Sequence, residues 1–179
     1  MLYATTHPSP VGLLTLASDG DHLTGLWIAG QKYHGNSLFP AMAERDALPV
    51  FGDAKRWLAR YFAGEKPHAS ELPLAPSGSE FRQSVWRVLC GIPYGGVLTY
   101  GGIAASMAAE MRRAHMSAQA VGGAVGHNPI SIIIPCHRVV GADGSLTGYA
   151  GGIAAKIKLL ELEGAPMAGL FVPKRGTAL

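Results

Sequence analysis

Residues 132–141 have the sequence Ile-Ile-Ile-Pro-Cys-His-Arg-Val-Val-Gly. The β-branched run predicts a short buried strand, and Pro135 cannot donate a hydrogen bond to a sheet, so we expect pairing to stop there. This places Cys136, His137 and Arg138 on a turn at the end of the strand. Neighbouring imidazole and guanidinium groups lower the pKa of a thiol, which makes Cys136 a candidate nucleophile. The alternative is a structural thiol, because free cysteine packs like a small hydrophobic side chain.

The chain has 179 residues, enough for one large domain or two small ones with a buried core. Its two cysteines, Cys90 and Cys136, form neither a CxxC pair nor a Cys/His cluster. We therefore expect no disulfide framework, no metal site and a cytoplasmic setting that keeps thiols reduced. The sequence lacks a signal-peptide pattern and a membrane-length apolar run, so we expect a soluble protein with no membrane partner.

The charge is unevenly distributed along the chain. Residues 1–79 carry six Lys/Arg and seven Asp/Glu, a net charge of −1, whereas residues 80–179 carry nine and five, a net charge of +4. The second half is therefore the expected partner of a polyanion.

The first part of the chain predicts a small α/β lobe. Short apolar runs separated by turn signals within residues 1–28 indicate an antiparallel meander. Residues 30–47 show no period and are predicted as a loop, whereas residues 48–62 repeat apolar positions, Tyr61 among them, at helical spacing. No side chain of this lobe indicates a site. With a Pro- and Ser-rich linker, the predicted division is an N-terminal α/β lobe at 1–66, a linker at 67–78 and a C-terminal domain at 79–179.

The second part of the chain predicts mainly helices. Ser79 is a suitable N-cap for a helix that ends at Cys90, where a structural role for the thiol is expected. Helices near residues 103–111 and 117–125, joined by a basic segment, indicate a loose helix-turn-helix. The second of these consists almost entirely of tiny residues, which lowers its helix propensity. Tight packing against a neighbour and close approach to a bulky ligand such as a nucleic-acid groove both explain that composition.

The last predicted helix covers residues 153–163, with Gly164 just beyond its end. An acidic residue in the last turn of a helix opposes the helix dipole. Glu163 therefore requires a partner, and a histidine or an arginine would supply one.

Four short motifs occur together in the second half of the chain. They are Ala120-Val121-Gly122, Asn128-Pro129-Ile130, Pro135-Cys136-His137-Arg138-Val139 and Tyr149-Ala150-Gly151-Gly152. In this order they closely resemble the O6-alkylguanine-DNA alkyltransferases, over residues 81–164 and more weakly before them. The resemblance implies an α/β fold with a small RNase H-like N-terminal lobe, an antiparallel sheet plus a helix, and a mainly helical C-terminal lobe with a helix-turn-helix.

The resemblance also implies direct DNA repair in a single turnover. Cys136 would accept the alkyl group from O6-alkylguanine flipped out of duplex DNA, with O4-alkylthymine as a further candidate substrate. His137 would act through a water molecule as the base for the thiol, and Glu163 would hold His137 in the required tautomer. Asn128 would support the turn, and Tyr100 would protonate the leaving guanine. The partner implied is double-stranded DNA, with no cofactor, no metal and no protein partner.

Backbone groups of Val139 and of the loop at Tyr149 and Ala150 would bind the flipped base. The predicted DNA-binding residues are Gln119, Ala120, Gly122, Arg112, Arg113 and Arg138. The family usually has an arginine where this chain has Gln119, which predicts weaker DNA binding or slower repair. Arg112 and Arg113 lie in a segment longer than is typical, either as compensating cations or as an ordinary solvated basic loop.

Two other functions are alternatives to this interpretation. An alkyltransferase-like protein binds lesions without transfer because it has lost the nucleophile, and Cys136 argues against it. A cysteine hydrolase also combines a thiol with an imidazole, but it usually takes them from distant segments of the chain.

Overall fold

The computed structural model describes residues 1–32 and 42–174. The strands are β1 (Leu2–Ser9), β2 (Gly12–Ser18), β3 (Leu23–Ile28), β4 (Met42–Glu44), β5 (Leu98–Thr99) and β6 (Val139–Val140). The α-helices are α1 (Pro49–Phe62), α2 (Glu80–Cys90), α3 (Tyr100–Glu110), α4 (Ala118–Gly126) and α5 (Ile153–Leu162). Single turns of 3₁₀-helix lie at Ala69–Glu71 and Cys136–Arg138. No helix among the described residues has the length and apolar character needed to cross a membrane.

The N-terminal lobe is a four-stranded sheet covered by α1. The strand order is β3-β2-β1-β4, and the first three strands form the predicted antiparallel meander. The prediction of a loop over residues 30–47 is wrong for β4, which pairs in parallel with β1. Residues 33–41 lie outside the described part of the chain. A strand of three residues is too short for its period to be recognised in sequence.

Helix α1 begins with Pro49 at its first position, where a missing N–H costs nothing. Its buried face includes Phe51, Ala54, Leu58 and Tyr61, as the helical spacing predicts. These side chains pack on the sheet and belong to a hydrophobic core that continues into the C-terminal part of the chain. The predicted linker at residues 67–78 therefore stays a prediction, because one hydrophobic core contains residues from both sides of it.

Two helices of the C-terminal lobe begin directly after a serine that caps them, and Ser79 is the cap that the sequence predicts. Ser79 accepts a hydrogen bond from the backbone of Arg82 at the start of α2, and Ser117 accepts one from Ala120 at the start of α4. Helix α4 contacts both α2 and α3, and the indole N–H of Trp86 donates to the Ala124 carbonyl at 2.9 Å. The two helices α3 and α4 thus form the predicted pair with an intervening turn.

The predicted strand before Cys136 is wrong. Residues 131–134 form turns closed by local hydrogen bonds, such as Ile133 N to Ser131 O at 2.8 Å. Ile132 has φ = 71°, a region that β-branched residues rarely adopt. The isoleucines are buried as a strand would bury them, so their apolar run indicated burial correctly and backbone pairing incorrectly. Ile130 forms an isolated parallel bridge with Leu26, and a strand follows the turn at β6, which runs parallel to β5.

The N-terminal sheet holds this turn by direct hydrogen bonds. The Leu26 amide donates to the Pro129 carbonyl, and the Ser131 amide donates to the Leu26 carbonyl, both at 2.9 Å. The buried Gln31 side chain adds a second connection, since its Oε1 accepts from Ser131 Oγ at 2.9 Å and from the Ile28 amide at 3.1 Å. The lobe therefore fixes the segment that precedes the reactive turn.

Replacing Gln31 by alanine should lower the free energy of unfolding by about 1–3 kcal/mol, because two buried donors lose their acceptor. Urea denaturation measures the effect. The matched control is Gln83→Ala, because Gln83 is exposed and its side-chain amide donates to the Gly78 carbonyl alone among the described residues. Equal losses in the two variants would contradict the connection between sheet and turn.

Candidate active site

Cys136 begins the 3₁₀ turn and is only 4% exposed. Its Sγ accepts a hydrogen bond from Asn128 Nδ2 at 3.1 Å. The same amide donates to the Ile134 carbonyl at 2.8 Å, and Asn128 Oδ1 accepts from the Ile130 amide at 3.0 Å. Asn128 therefore connects the two ends of the turn and directs a hydrogen-bond donor at the sulfur.

Burial raises the pKa of the Cys136 thiol, and the hydrogen bond from Asn128 and the charge of Lys156 oppose that rise. Burial therefore outweighs the expected lowering of the thiol pKa, to which His137 contributes through its backbone and not through its imidazole. The sulfur is removed from water, and the Arg138 guanidinium is directed to other partners. The resting form is the neutral thiol, so a base must take its proton before it can attack.

His137 and Arg138 share one acceptor, the carboxylate of Glu163. His137 Nε2 lies 2.7 Å from Glu163 Oε1, while Arg138 Nη2 and Nε lie 2.9 and 2.8 Å from Oε1 and Oε2. The amide of Gly95 also donates to Oε2 at 3.0 Å. Glu163, at the end of α5, thus has both of the partner types that its position requires.

Arg138, predicted to bind DNA, does not lie on the surface. The side chain is buried against Glu163, and its Nη1 donates to the Ile92 carbonyl at 2.6 Å. A guanidinium engaged in this way neutralises an internal charge, so we assign Arg138 to the Glu163 network and remove it from the DNA interface.

Burial alone would favour protonation of Glu163, but hydrogen bonds from His137 and Arg138 hold the pKa of its carboxyl well below the usual range. Burial lowers the pKa of the His137 imidazole, although Glu163 acts in the opposite direction. The pair is therefore a neutral imidazole beside a carboxylate. Because the carboxylate faces Nε2, that nitrogen carries the proton and Nδ1 is the basic atom.

Tyr100, the predicted proton donor, lies at the start of α3 and donates to the Thr147 carbonyl at 3.2 Å. Burial raises the pKa of its hydroxyl to about 12. The buried amine of Lys156 donates to the same carbonyl and to that of Val139. Burial lowers the pKa of Lys156 to about 8, and the nearby Cys136 acts against that shift. Sequence reasoning missed Lys156, because a lysine on a terminal helix normally indicates a solvated position.

Among the residues predicted to bind the base, Tyr149 lies beside His137. Tyr149 is buried, with its ring centroid 6.4 Å from that of His137. The Ala150 carbonyl accepts from the Lys32 amide, and the Val139 amide donates to the Cys136 carbonyl. Among the described residues, two buried side-chain polar atoms lack a hydrogen-bond partner, and these are Tyr149 Oη and His137 Nδ1.

Comparison with known proteins identifies this arrangement. Residues 1–76 match the ribonuclease-like domain and residues 80–165 match the DNA-binding domain of 6-O-methylguanine DNA methyltransferase. The chain belongs to this methyltransferase family. The predicted α/β fold with two lobes is confirmed.

Individual relatives agree with the family assignment. The chain is 45% identical over 165 residues to a methylated-DNA–protein-cysteine methyltransferase of Haemophilus influenzae, covering 92% of this chain and 88% of the relative. It is 52% identical over 171 residues to one of Methanosarcina barkeri, covering 90% and 97%. It also resembles the Mycobacterium tuberculosis OGT solved in complex with DNA, with a TM-score of 0.76 and 43% identity over 92% and 95% of the two chains.

The α4 surface of this methyltransferase is open where it was predicted to meet DNA. Gln119 and Ala120 are exposed, whereas a Cβ at Gly122 would contact the Tyr100 ring at 3.7 Å. A Cβ at Gly123 would have no described heavy atom within 4 Å. A distance of 3.7 Å is an ordinary van der Waals contact, so packing among the described residues does not require glycine at position 122 or at position 123.

Arg112 and Arg113 are also exposed, just after the end of α3. Arg112 has φ = 52°, and the Arg113 amide donates back to the Ala108 carbonyl at 2.8 Å, which closes the end of the helix. Both residues belong to the segment between α3 and α4, so their predicted contact with DNA stays a prediction that the fold permits.

Replacing Asn128 by alanine should raise the pKa of Cys136 further, because the thiolate loses its side-chain donor. The ultraviolet absorbance of the thiolate, titrated against pH in a Cys90→Ser background, measures the midpoint. We expect the midpoint to move to higher pH by about one unit. A midpoint that stays in place, in a variant shown by circular dichroism to be folded, would contradict the role of Asn128.

Proposed function

We propose that this methyltransferase repairs duplex DNA by moving the alkyl group of O6-alkylguanine onto Cys136 Sγ, once per molecule. Family membership assigns the reaction class, transfer from methylated DNA to a protein cysteine. The observation that carries the residue assignment is the buried Cys136 Sγ beside a His137–Glu163 pair whose Nδ1 has no partner among the described residues.

The chemistry begins with loss of the thiol proton. Adjacent cysteine and histidine side chains do not easily share a direct hydrogen bond, so the proton reaches His137 Nδ1 through a water molecule. Glu163 stabilises the imidazolium that forms, as an orienting acid does in other base-activated nucleophiles. The attack therefore starts from a thiolate that exists only while the base holds the proton.

The transfer itself is a displacement at the alkyl carbon. The Sγ–C bond forms as the O6–C bond breaks, and the electron pair of that bond goes to the purine. Tyr100 donates its hydroxyl proton to the departing guanine, which neutralises charge where it develops. The products are unmodified guanine and a thioether. A thioether is stable to hydrolysis, so the alkyl group stays on Cys136 and the protein is consumed as a stoichiometric reagent.

The substrate base must leave the duplex to reach a buried sulfur, as enzymes that act on stacked bases require. The thin, exposed face of α4 suits a groove in which backbone and helix approach closely, and the net charge of +4 on residues 80–179 favours the phosphate backbone. O6-alkylguanine is the proposed substrate, O4-alkylthymine is a further candidate, and the cytoplasm is the proposed compartment.

Mass spectrometry after incubation with duplex DNA that contains O6-methylguanine tests the assignment. We expect one added methyl group on Cys136 in the wild type and in Cys90→Ser, and none in Cys136→Ser. Binding of lesion DNA without a mass change would instead indicate an alkyltransferase-like lesion-binding protein. Neither binding nor transfer would return the cysteine hydrolase to consideration.

Replacing Gln119 by arginine should tighten duplex binding and accelerate repair, because a cation at the start of α4 interacts with phosphates and stacked bases. Fluorescence anisotropy and single-turnover transfer rates measure the two effects, for which we expect about a tenfold gain in affinity. Gln83→Arg adds the same charge on exposed α2. An equal gain in that control would attribute the effect to net charge instead of to position 119.

A further inference from the structure

Tyr61 is a buried tyrosine of α1 whose hydroxyl reaches the active site from the other lobe. The residue is 0% exposed, and its Oη donates to Glu163 Oε1 at 2.6 Å. The same Oη lies 3.4 Å from His137 Nε2. Sequence periodicity counts Tyr61 as one more apolar position of the helix, so this polar contact has no signal in the sequence.

The ring of Tyr61 is held by aromatic neighbours, independently of its hydroxyl. Trp57 stacks on it at 5.4 Å between centroids, and Phe62 and Tyr94 contact it edge-on at 5.2 and 5.8 Å. A phenylalanine at this position would keep all three contacts. The hydroxyl can therefore be removed while the packing that places the ring is retained.

We propose that Tyr61 is a positioning residue for the alkyl transfer, which holds the Glu163 carboxylate in the orientation that leaves His137 neutral and its Nδ1 open to accept the thiol proton. The inference rests on the proposed function, because it concerns the base in that reaction. Tyr61 touches neither the thiol nor the substrate, and it acts through Glu163.

The physical argument starts from the three contacts that Glu163 Oε1 makes, with Tyr61 Oη, His137 Nε2 and Arg138 Nη2. Each donor withdraws negative charge from the oxygen, so each weakens the pull of that oxygen on the others. Without the Tyr61 hydroxyl, the carboxylate attracts the His137 proton more strongly and favours the imidazolium. An imidazolium cannot accept the thiol proton. On acidification, the variant would therefore lose its neutral base at a higher pH than the wild type.

The other groups around His137 do not replace this effect. The titratable and charged groups facing or adjoining the ring are Tyr61 from α1, Cys136 and Arg138 from its own turn, Tyr149 from the loop before α5, and Lys156 and Glu163 at α5. Among these, the cations Arg138 and Lys156 also disfavour the imidazolium, and both remain in a Tyr61→Phe variant. Removing the hydroxyl therefore removes its short hydrogen bond to Glu163 Oε1 and its longer contact with His137 Nε2, and it leaves the cations in place.

Single-turnover transfer rates of Tyr61→Phe, measured against pH by mass spectrometry on folded protein, test the proposal. We expect the acid limb of the profile to move to higher pH by about one unit, with about a tenfold slower transfer below the limb. Above the limb, where His137 is neutral in both proteins, the rates should converge. Tyr94→Phe is the matched control, since among the described residues its hydroxyl donates to the Leu162 carbonyl alone, and its profile should coincide with that of the wild type.

A purely structural role gives a different result. In that case Tyr61→Phe lowers the melting temperature while its acid limb coincides with that of the wild type, and the proposal is overturned. Trp57→Phe separates packing from the hydroxyl, because it loosens the stack and keeps Tyr61 Oη. A shift of its acid limb equal to that of Tyr61→Phe would also count against the proposal.

A measurement on the wild type keeps the proposal open to refutation if the variant does not fold. Nitrogen-15 NMR of the histidines should show His137 neutral at neutral pH, with its proton on Nε2. An imidazolium, or a proton on Nδ1, would overturn the proposal. Absence of methyl transfer by the wild type would instead overturn the proposed function, so the two failures are distinguishable.

Discussion

The buried carboxylate of Glu163 is the interaction on which the arrangement of the active site depends. Five contacts reach its two oxygens, from Tyr61 Oη, His137 Nε2, two nitrogens of Arg138 and the Gly95 amide. A charge inside a protein is tolerated only when it is paired and hydrogen-bonded, and removing one partner of a buried pair typically costs about 3–5 kcal/mol. The carboxylate therefore ties α1, the loop before β5 and the reactive turn to the end of α5.

The same network explains why the thiol can be both buried and reactive. Burial keeps Cys136 protonated at rest, which protects it from indiscriminate chemistry, and it keeps His137 neutral and thus able to accept a proton. The reactive thiolate is produced only when the base takes the proton. Lys156, held by two carbonyl groups beside the cysteine, supplies a positive charge that favours the thiolate once it forms.

Local signals predicted the secondary structure well wherever a period or a cap was present. The predicted cap at Ser79 marks the start of α2, and the apolar spacing within residues 48–62 marks α1. The same reasoning failed before Cys136, because an apolar β-branched run reports burial and a strand is only one way to be buried. It also failed at Arg138, since no local pattern distinguishes an arginine that meets phosphate from one that neutralises a buried acid.

The sequence by itself determined the helices, the family motifs, the nucleophile candidate and the need of Glu163 for a positive or proton-bearing partner, because each of these depends on neighbours within a few residues. Only the tertiary structure decided which groups answer that need. Tyr61 lies 102 positions from Glu163 along the chain, and no sequence period records their contact. The direction of the Cys136 pKa was also a tertiary outcome, because desolvation depends on everything that surrounds the sulfur and not on the two residues beside it.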